Sequence, residues 1–347
     1  MTISTSGLHH VTAIGGDPQR NADFYAHTLG LRLVKTTVNF DDPGTYHLYY
    51  GDERGHPGTI MTFFPWPGVP GGRHGTGQAT TTAFSVPESS IGWWRKHLDG
   101  MGIETSQVRT SDDEESLSFH DPDGLRLSLT AHPQGDPRDP WDTPLVPAEH
   151  AIRGLYSVTL QVASEHATVA MLTDRLGLRH VYDEGNRMRF AAGDGGPGAL
   201  VDVLVTPGER PGLVAGGTVH HVAWRTPDDA TQRAWREELI GGGVQVTAIM
   251  DRQYFHSIYF REPGGTLLEI ATDDIGFTID EPLLELGRAL KLPPWLEPHR
   301  EQIDRALPKL NLPDENNPEV AELLAERAAQ KATVGQTTTA SQAVSDE

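Results

Sequence analysis

Leu8-His9-His10-Val11-Thr12-Ala13-Ile14, continued by Thr28-Leu29-Gly30-Leu31-Arg32-Leu33-Val34, returns 147 residues later. The second copy reads Leu155-Tyr156-Ser157-Val158-Thr159-Leu160-Gln161, continued by Arg175-Leu176-Gly177-Leu178-Arg179-His180-Val181. Self-similarity at a fixed offset marks repeated supersecondary units and decides the architecture before any propensity is weighed. Each copy runs on into a Pro-Gly turn and an apolar strand, Pro57-Gly58-Thr59-Ile60-Met61 and Pro197-Gly198-Ala199-Leu200-Val201. A second pair repeats in the same way. Ser116 to Leu129 (SLSFHDPDGLRLSL) matches Ser257 to Ile270 (SIYFREPGGTLLEI), and Thr82 to Pro87 matches Val222 to Pro227.

Every unit opens with a β-rich strand and continues into an amphipathic helix: Asn21 to Leu29, Trp93 to Met101, Ala167 to Leu176 and Asp229 to Gly241. Glycine closes each helix, and short strands separated by Gly/Pro turns follow. The spacing therefore predicts an α+β chain of four βαβββ modules, residues 7–66, 77–132, 153–207 and 217–273, forming two cupped mixed-sheet domains. The first pair of modules falls in residues 1–150 and the second in 151–275, with the Pro/Asp-rich Pro133 to Pro147 as linker. Residues 276–313 read as a helical extension of two short helices broken at Pro293-Pro294 that covers the body, and 314–347 as a flexible polar tail.

At 347 residues the chain is long enough for a sizeable core. Its net charge of −20 argues against nucleic acid or an anionic membrane as partner. No apolar run is long enough for a transmembrane helix, and the N-terminus lacks a signal-peptide pattern. The absence of cysteine fits a reducing cytoplasm and leaves histidines and carboxylates as the only metal ligands.

Two His-His-Val tripeptides, His9-His10-Val11 and His220-His221-Val222, open the first and fourth modules. On a regular strand adjacent side chains face opposite ways, so one histidine of each pair should face a pocket and the other should point away from it. Glu269 lies within Leu267-Leu268-Glu269-Ile270-Ala271, where a lone carboxylate is costly unless a cation pairs with it. In the repeat alignment Glu269 corresponds to Ser128, Thr62 and Asp202, His221 to Thr81, and His10 to Ser157. One site of a potential two thus keeps its donors. His10, His221 and Glu269 make a two-histidine, one-carboxylate set with open positions, which suits Fe(II) oxygen chemistry, whereas a fourth ligand would suit a Zn or Ni Lewis acid.

Other features read more plainly. His27, His56, His74, His97, His132, His166 and His299 are taken as solvated, Asp112 to Glu115 as a solvated loop, and Trp93, Trp94 and Trp235 as core. Gly71-Gly72 and Gly241-Gly242-Gly243 are turns, lacking the Lys-Ser/Thr of a phosphate loop.

The segments LHHVTAI, YHLYYGDERGHPGTIMTFFPWP, HAIRGLYSVTL, VHHVAW, SIYFREPGGTLLEIATDDIGF and LGRALKLPPWLEPHR resemble the vicinal oxygen chelate superfamily of glyoxalase I, extradiol dioxygenases and bleomycin-resistance proteins. Within it the chain is most similar to hydroquinone-type ring-cleaving dioxygenases, over residues 7 to about 310. The resemblance implies Fe(II), with Mn(II) as the alternative ion, on His10, His221 and Glu269. It further implies catalytic roles for His9, Thr12, His220, Arg252 and Tyr259, and an aromatic diol and O2 as substrates. His256 departs from the family pattern and is a candidate to line the substrate pocket. Oligomeric state is left open.

Two geometric expectations follow. Metal–ligand bonds of about 2.0–2.2 Å require the first and fourth modules to share one cup, leaving the second and third to share the other. A three-residue turn at Pro263-Gly264-Gly265 pairs Tyr259 with Glu269 on one face. Two rivals remain at this point: a glyoxalase-type isomerase or lyase with a fourth ligand at Thr62, and a binding or resistance protein without catalysis.

Overall fold

In the computed structural model, residues 3–109, 114–143 and 145–312 are described; the 314–347 tail and residues 112 and 113 of the 112–115 loop lie outside these. The first module comprises β1 (Leu8–Gly15), α1 (Pro18–Ala22), β2 (Arg32–Asn39), β3 (Asp42–Gly51) and β4 (Ile60–Pro65). The second comprises β5 (Gln78–Val86), α2 (Ile91–Gly100), β6 (Ser106–Arg109), β7 (Glu115–His120) and β8 (Arg126–Ala131). The third has β9 (Gly154–Val162), α3 (His166–Ala170), β10 (Arg179–Glu184), β11 (Arg187–Ala191) and β12 (Leu200–Val205). The fourth has β13 (Thr218–Thr226), α4 (Asp229–Gly241), β14 (Met250–Asp251), β15 (His256–Arg261) and β16 (Leu267–Thr272).

One eight-stranded sheet runs β14-β15-β16-β13-β1-β4-β3-β2, the other β10-β11-β12-β9-β5-β8-β7-β6. Modules one and four therefore share a sheet, as do two and three, which is the pairing a shared cation demands. Antiparallel β1 and β13 form the seam of the first sheet, flanked by parallel β4 and β16. All eight residues of β1 and all nine of β9 are buried, because helices cover one face and the cup encloses the other. In modules one and three the helix ends in a π-turn, Asp23–Thr28 and Met171–Arg175, just before the repeated Leu-Gly-Leu-Arg. Gly30 follows at φ +68, where an added Cβ would meet Val146 at 2.6 Å, so only glycine serves there.

The regular alternation expected of the histidine pairs is broken. Leu8 pairs with Trp224 but His10 with Ala223, leaving His9 as an extra residue. Thr12 pairs with His221 but Ala13 with Val219, leaving His220 extra. The second sheet repeats both bulges, at Thr80 and Tyr156. A bulge re-aims side chains, and here it turns the two rings of each pair toward one another.

The C-terminal extension covers the body, but mostly as an extended strap with 3₁₀ turns at Phe277–Ile279, Leu283–Glu285 and Glu297–His299; among its described residues the one α-helix is α5 (Arg300–Ala306). Leu290 bridges to Thr36, and Lys291 exchanges hydrogen bonds with Thr36 and Thr37. Lys35, fully buried, is held by Asp280 at 2.5 Å and by Glu281. Under the strap the interior of β2 is buried, whereas most residues of β10, its counterpart in the third module, are exposed.

Candidate metal centre

His10 Nε2, His221 Nε2 and a Glu269 carboxylate oxygen converge within 4.8 Å of one another, all buried. Each comes from a strand at or beside the seam: β1, β13 and β16. Glu269 Oε2 lies 2.8 Å from His221 Nε2 and 3.2 Å from His10 Nε2. It nevertheless has no hydrogen bond of acceptable geometry. Three lone-pair donors aimed at one point, with a fully buried oxygen left unsatisfied, fit a cation at their centre. The other oxygen of Glu269 accepts from the Ser257 hydroxyl.

Hydrogen bonds fix the tautomers on the His10 side. His9 Nε2 lies 3.2 Å from the carbonyl of Thr272, which can only accept, so His9 carries its proton on Nε2. Burial and the neighbouring His10 ring push His9 well below the ordinary histidine value, so it is neutral and Nδ1 accepts. His10 Nδ1, 2.9 Å away, must then donate, which leaves His10 Nε2 with a free lone pair for a metal. His220 Nδ1 stands in the same relation to His221 Nδ1, at 2.7 Å. Burial and the adjacent His221 push His220 down to about 3, and burial also lowers His221.

A cavity of about 290 Å³ opens onto His10, His220 and His221. Phe40, Phe64, Trp66 and Phe255 supply aromatic walls, and Arg252 and Tyr259 a polar one. Tyr259 pairs directly with Glu269 across β15 and β16, as the turn geometry predicted, and Arg252 Nε donates to its hydroxyl at 3.2 Å. Thr12 lies below the cavity with its hydroxyl 2.8 Å from that of Thr62. The structure thus gathers His10, His221, Glu269, His220, Arg252 and Tyr259 around one space. His9 and Thr12 sit behind it, reaching it only through their neighbours.

His256 does not line the cavity. It turns away to Asp229 at the start of α4, 2.5 Å from its carboxylate, because it is one residue out of phase with Ser257 and Tyr259. His132 is buried rather than solvated, bonded to Ser85 at 3.0 Å. Glu114, placed in a solvated loop from the sequence, is buried and binds Arg189 and Tyr156.

His47, Tyr49 and Ser257 escaped notice in the sequence. Tyr49 pairs with Thr62 across β3 and β4 just as Tyr259 pairs with Glu269, so a pseudo-twofold relates Tyr49 to Tyr259 and His47 to Ser257. The signal was present in the two-residue spacing once the strand register was known. Burial keeps the Tyr49 phenol protonated, so it donates to His47 Nδ1 at 2.9 Å. His47 Nε2 then donates to Thr62 Oγ1 at 2.8 Å.

The second sheet holds the counterpart of this site. Ser157, Thr81 and Ser128 stand where the donors would be, and Asp202 where Thr62 stands. Arg189 grips Asp202 at 2.8 and 3.1 Å and also binds Glu114, while Arg187 reaches Asp202 at 3.0 Å. The guanidinium satisfies the carboxylate that the repeat retains.

Comparison with known proteins agrees with this construction. A family model for the Glyoxalase/Bleomycin resistance protein/Dioxygenase superfamily matches residues 7–129 and 154–270. The chain is 44% identical over 308 residues to the Bacillus subtilis protein named "Putative ring-cleaving dioxygenase MhqO", covering 88% of this chain and 97% of that one. It is 37% identical to "Chlorohydroquinone/hydroquinone 1,2-dioxygenase" of Sphingobium indicum, covering 87% and 95%. A solved Bacillus subtilis structure titled "putative dioxygenase" superposes with a TM-score of 0.85 at 42% identity over 90% of this chain and 99% of that one. Glyoxalase I of Zea mays shares the fold alone, with a TM-score of 0.58 at 15% identity over 77% and 92%. With the repeat, the seam and the family model in accord, the chain belongs to the Glyoxalase/Bleomycin resistance protein/Dioxygenase superfamily.

Proposed function

We propose that the chain is a ring-cleaving dioxygenase of aromatic diols, hydroquinones foremost, with Fe(II) held by His10, His221 and Glu269. The observation that carries the reading is the convergence of these three buried donors beside an aromatic-walled cavity, with Thr62 at the corner that pseudo-symmetry assigns to a fourth ligand. Its hydroxyl is engaged by His47 and Thr12. A three-donor set leaves room for two exogenous ligands, whereas the isomerase alternative calls for a fourth. The relatives named as ring-cleaving and hydroquinone dioxygenases support the same choice.

Bound Fe(II) would supply acidification of the diol and electron transfer between ring and O2. The chain's own groups do the rest. His9 and His220 orient the ligand imidazoles, and Ser257 does the same for the carboxylate. With His221 Nδ1 donating to His220 Nδ1, His220 keeps its proton on Nε2, available to a substrate oxygen at the cavity surface. Tyr259 and Arg252 present O–H and N–H donors to developing negative charge. Phe40, Phe64, Trp66 and Phe255 hold the ring and exclude water. At about 290 Å³ the space suits a single-ring substrate, lying at the small end of ligand sites. Reaction in the cytoplasm and a role in aromatic degradation belong to the same reading.

The test is anaerobic reconstitution with Fe(II) or Mn(II), metal analysis, then oxygen uptake with a panel of hydroquinones and catechols. Uptake with a hydroquinone and ring-opened product is the expected result. A loaded protein that consumes no oxygen with any diol, or that isomerises a thiohemiacetal, overturns it.

A further inference from the structure

Two hairpin turns meet over the cavity. One joins β2 to β3 and carries Phe40 and Asp41; the other joins β14 to β15 and carries Arg252. The pseudo-twofold of the sheet relates them. Gln253, beside Arg252, is the only non-glycine residue at positive φ among the described residues, at 68°. Such a conformation is uncommon outside glycine. Across the gap Arg252 Nη2 lies 3.0 Å from Asp41 Oδ2. Apart from Glu269 at the candidate metal centre, these two are the only Asp, Glu, Lys or Arg side chains on the cavity among the described residues.

We propose that Asp41 sets the charge selectivity of the cavity, neutralising Arg252 so that uncharged diols are admitted and aromatic carboxylates are refused. The inference rests on the dioxygenase reading for the choice of diols as probes. Arg252 faces the substrate space beside Tyr259, and its guanidinium would otherwise be the natural seat for a carboxylate on the ring. Asp41 occupies that seat from the opposite turn. Its carboxylate is 64% exposed, so the pair contributes little to stability and can be altered without risk to the fold. Removing the negative charge while keeping the shape leaves Arg252 at the cavity wall with no charged partner.

The matched probes are methylhydroquinone and 2,5-dihydroxyphenylacetate, which differ by one carboxylate. Both are titrated calorimetrically under nitrogen into metal-loaded wild type, Asp41→Asn and Asp41→Glu. The wild type should favour methylhydroquinone, D41N should shift the affinity ratio toward the carboxylate by about tenfold, and D41E should keep the wild-type ratio. A D41N ratio within about twofold of wild type, an equal shift in D41E, or binding of neither probe overturns the proposal. Because binding is read without turnover, failure of the dioxygenase reading shows separately, as methylhydroquinone that binds the wild type but drives no oxygen uptake in air.

Discussion

Replacing His9 by alanine removes no atom from the proposed coordination sphere, yet it should weaken metal binding substantially. The bond from His10 Nδ1–H to His9 Nδ1 is what leaves the lone pair of His10 on Nε2, and His9 is fixed in turn by the Thr272 carbonyl. Without His9, the buried His10 N–H loses its acceptor, at a cost of about 1–3 kcal/mol for an unsatisfied donor. The ring is then free to flip or change tautomer. Loss of an orienting partner behind a metal-bound histidine typically lowers affinity by about 10–100-fold. That range corresponds to about 1.4–2.7 kcal/mol. The assay is competition with a fluorescent chelator for Fe(II) or Co(II) under nitrogen, with His9→Gln as the partial rescue, since its amide oxygen can accept from His10. H9A binding metal as tightly as wild type would refute the tautomer assignment. So would an H9A whose affinity is normal but whose turnover is lost, because His9 would then act on substrate and not through His10.

Glu269→Ala should abolish tight metal binding in the same competition assay; retained affinity and activity would remove the carboxylate from the ligand set. Lys35→Met leaves Glu281 buried beside no cation and should destabilise the protein by about 3–5 kcal/mol in urea unfolding. The double variant with Glu281→Met should recover much of that loss, which distinguishes an orphaned charge from lost packing. The metal-free protein should lose stability in acid. His9, His47, His220 and His221 are held below the ordinary histidine value by burial, so their contribution is complete above about pH 6.5 and declines as pH falls, toward about 3 for His220. Each such group adds a slope of about 1.4 kcal/mol per pH unit once the unfolded chain binds its proton, offset in part by Asp121, whose carboxyl burial pushes up to about 6, and urea midpoints at pH 5 and 7.5 measure the net. Equal midpoints would mean that these rings are protonated in the folded state.

Much of this arrangement was written in the repeat. The offset that aligned His10 with Ser157 and Glu269 with Ser128 picked out residues that converge in the fold, and the expectation of one shared cation called for modules one and four in a single sheet, the order observed. The Pro263-Gly264-Gly265 turn sufficed to place Tyr259 opposite Glu269. What stayed hidden depends on contacts between distant strands. The bulges at His9 and His220 arise where β1 meets β13, more than 200 residues apart in sequence, and no local pattern announces them. His47 gains meaning only through the register of β3 on β4. Glu114 reads as one more acid in an acidic run, and its burial comes from Arg189 in another module. The stretch after Asp274 has helical composition, but backbone bonds to Thr36 and the buried pair with Lys35 draw it out along the sheet edge instead.

Arg189 gives the molecule a lasting asymmetry. One half carries its own positive charge, covalently tethered beside Asp202; on the proposed reading the other takes its charge from solution. On that reading, loss of the ion should touch only one of the two sheets.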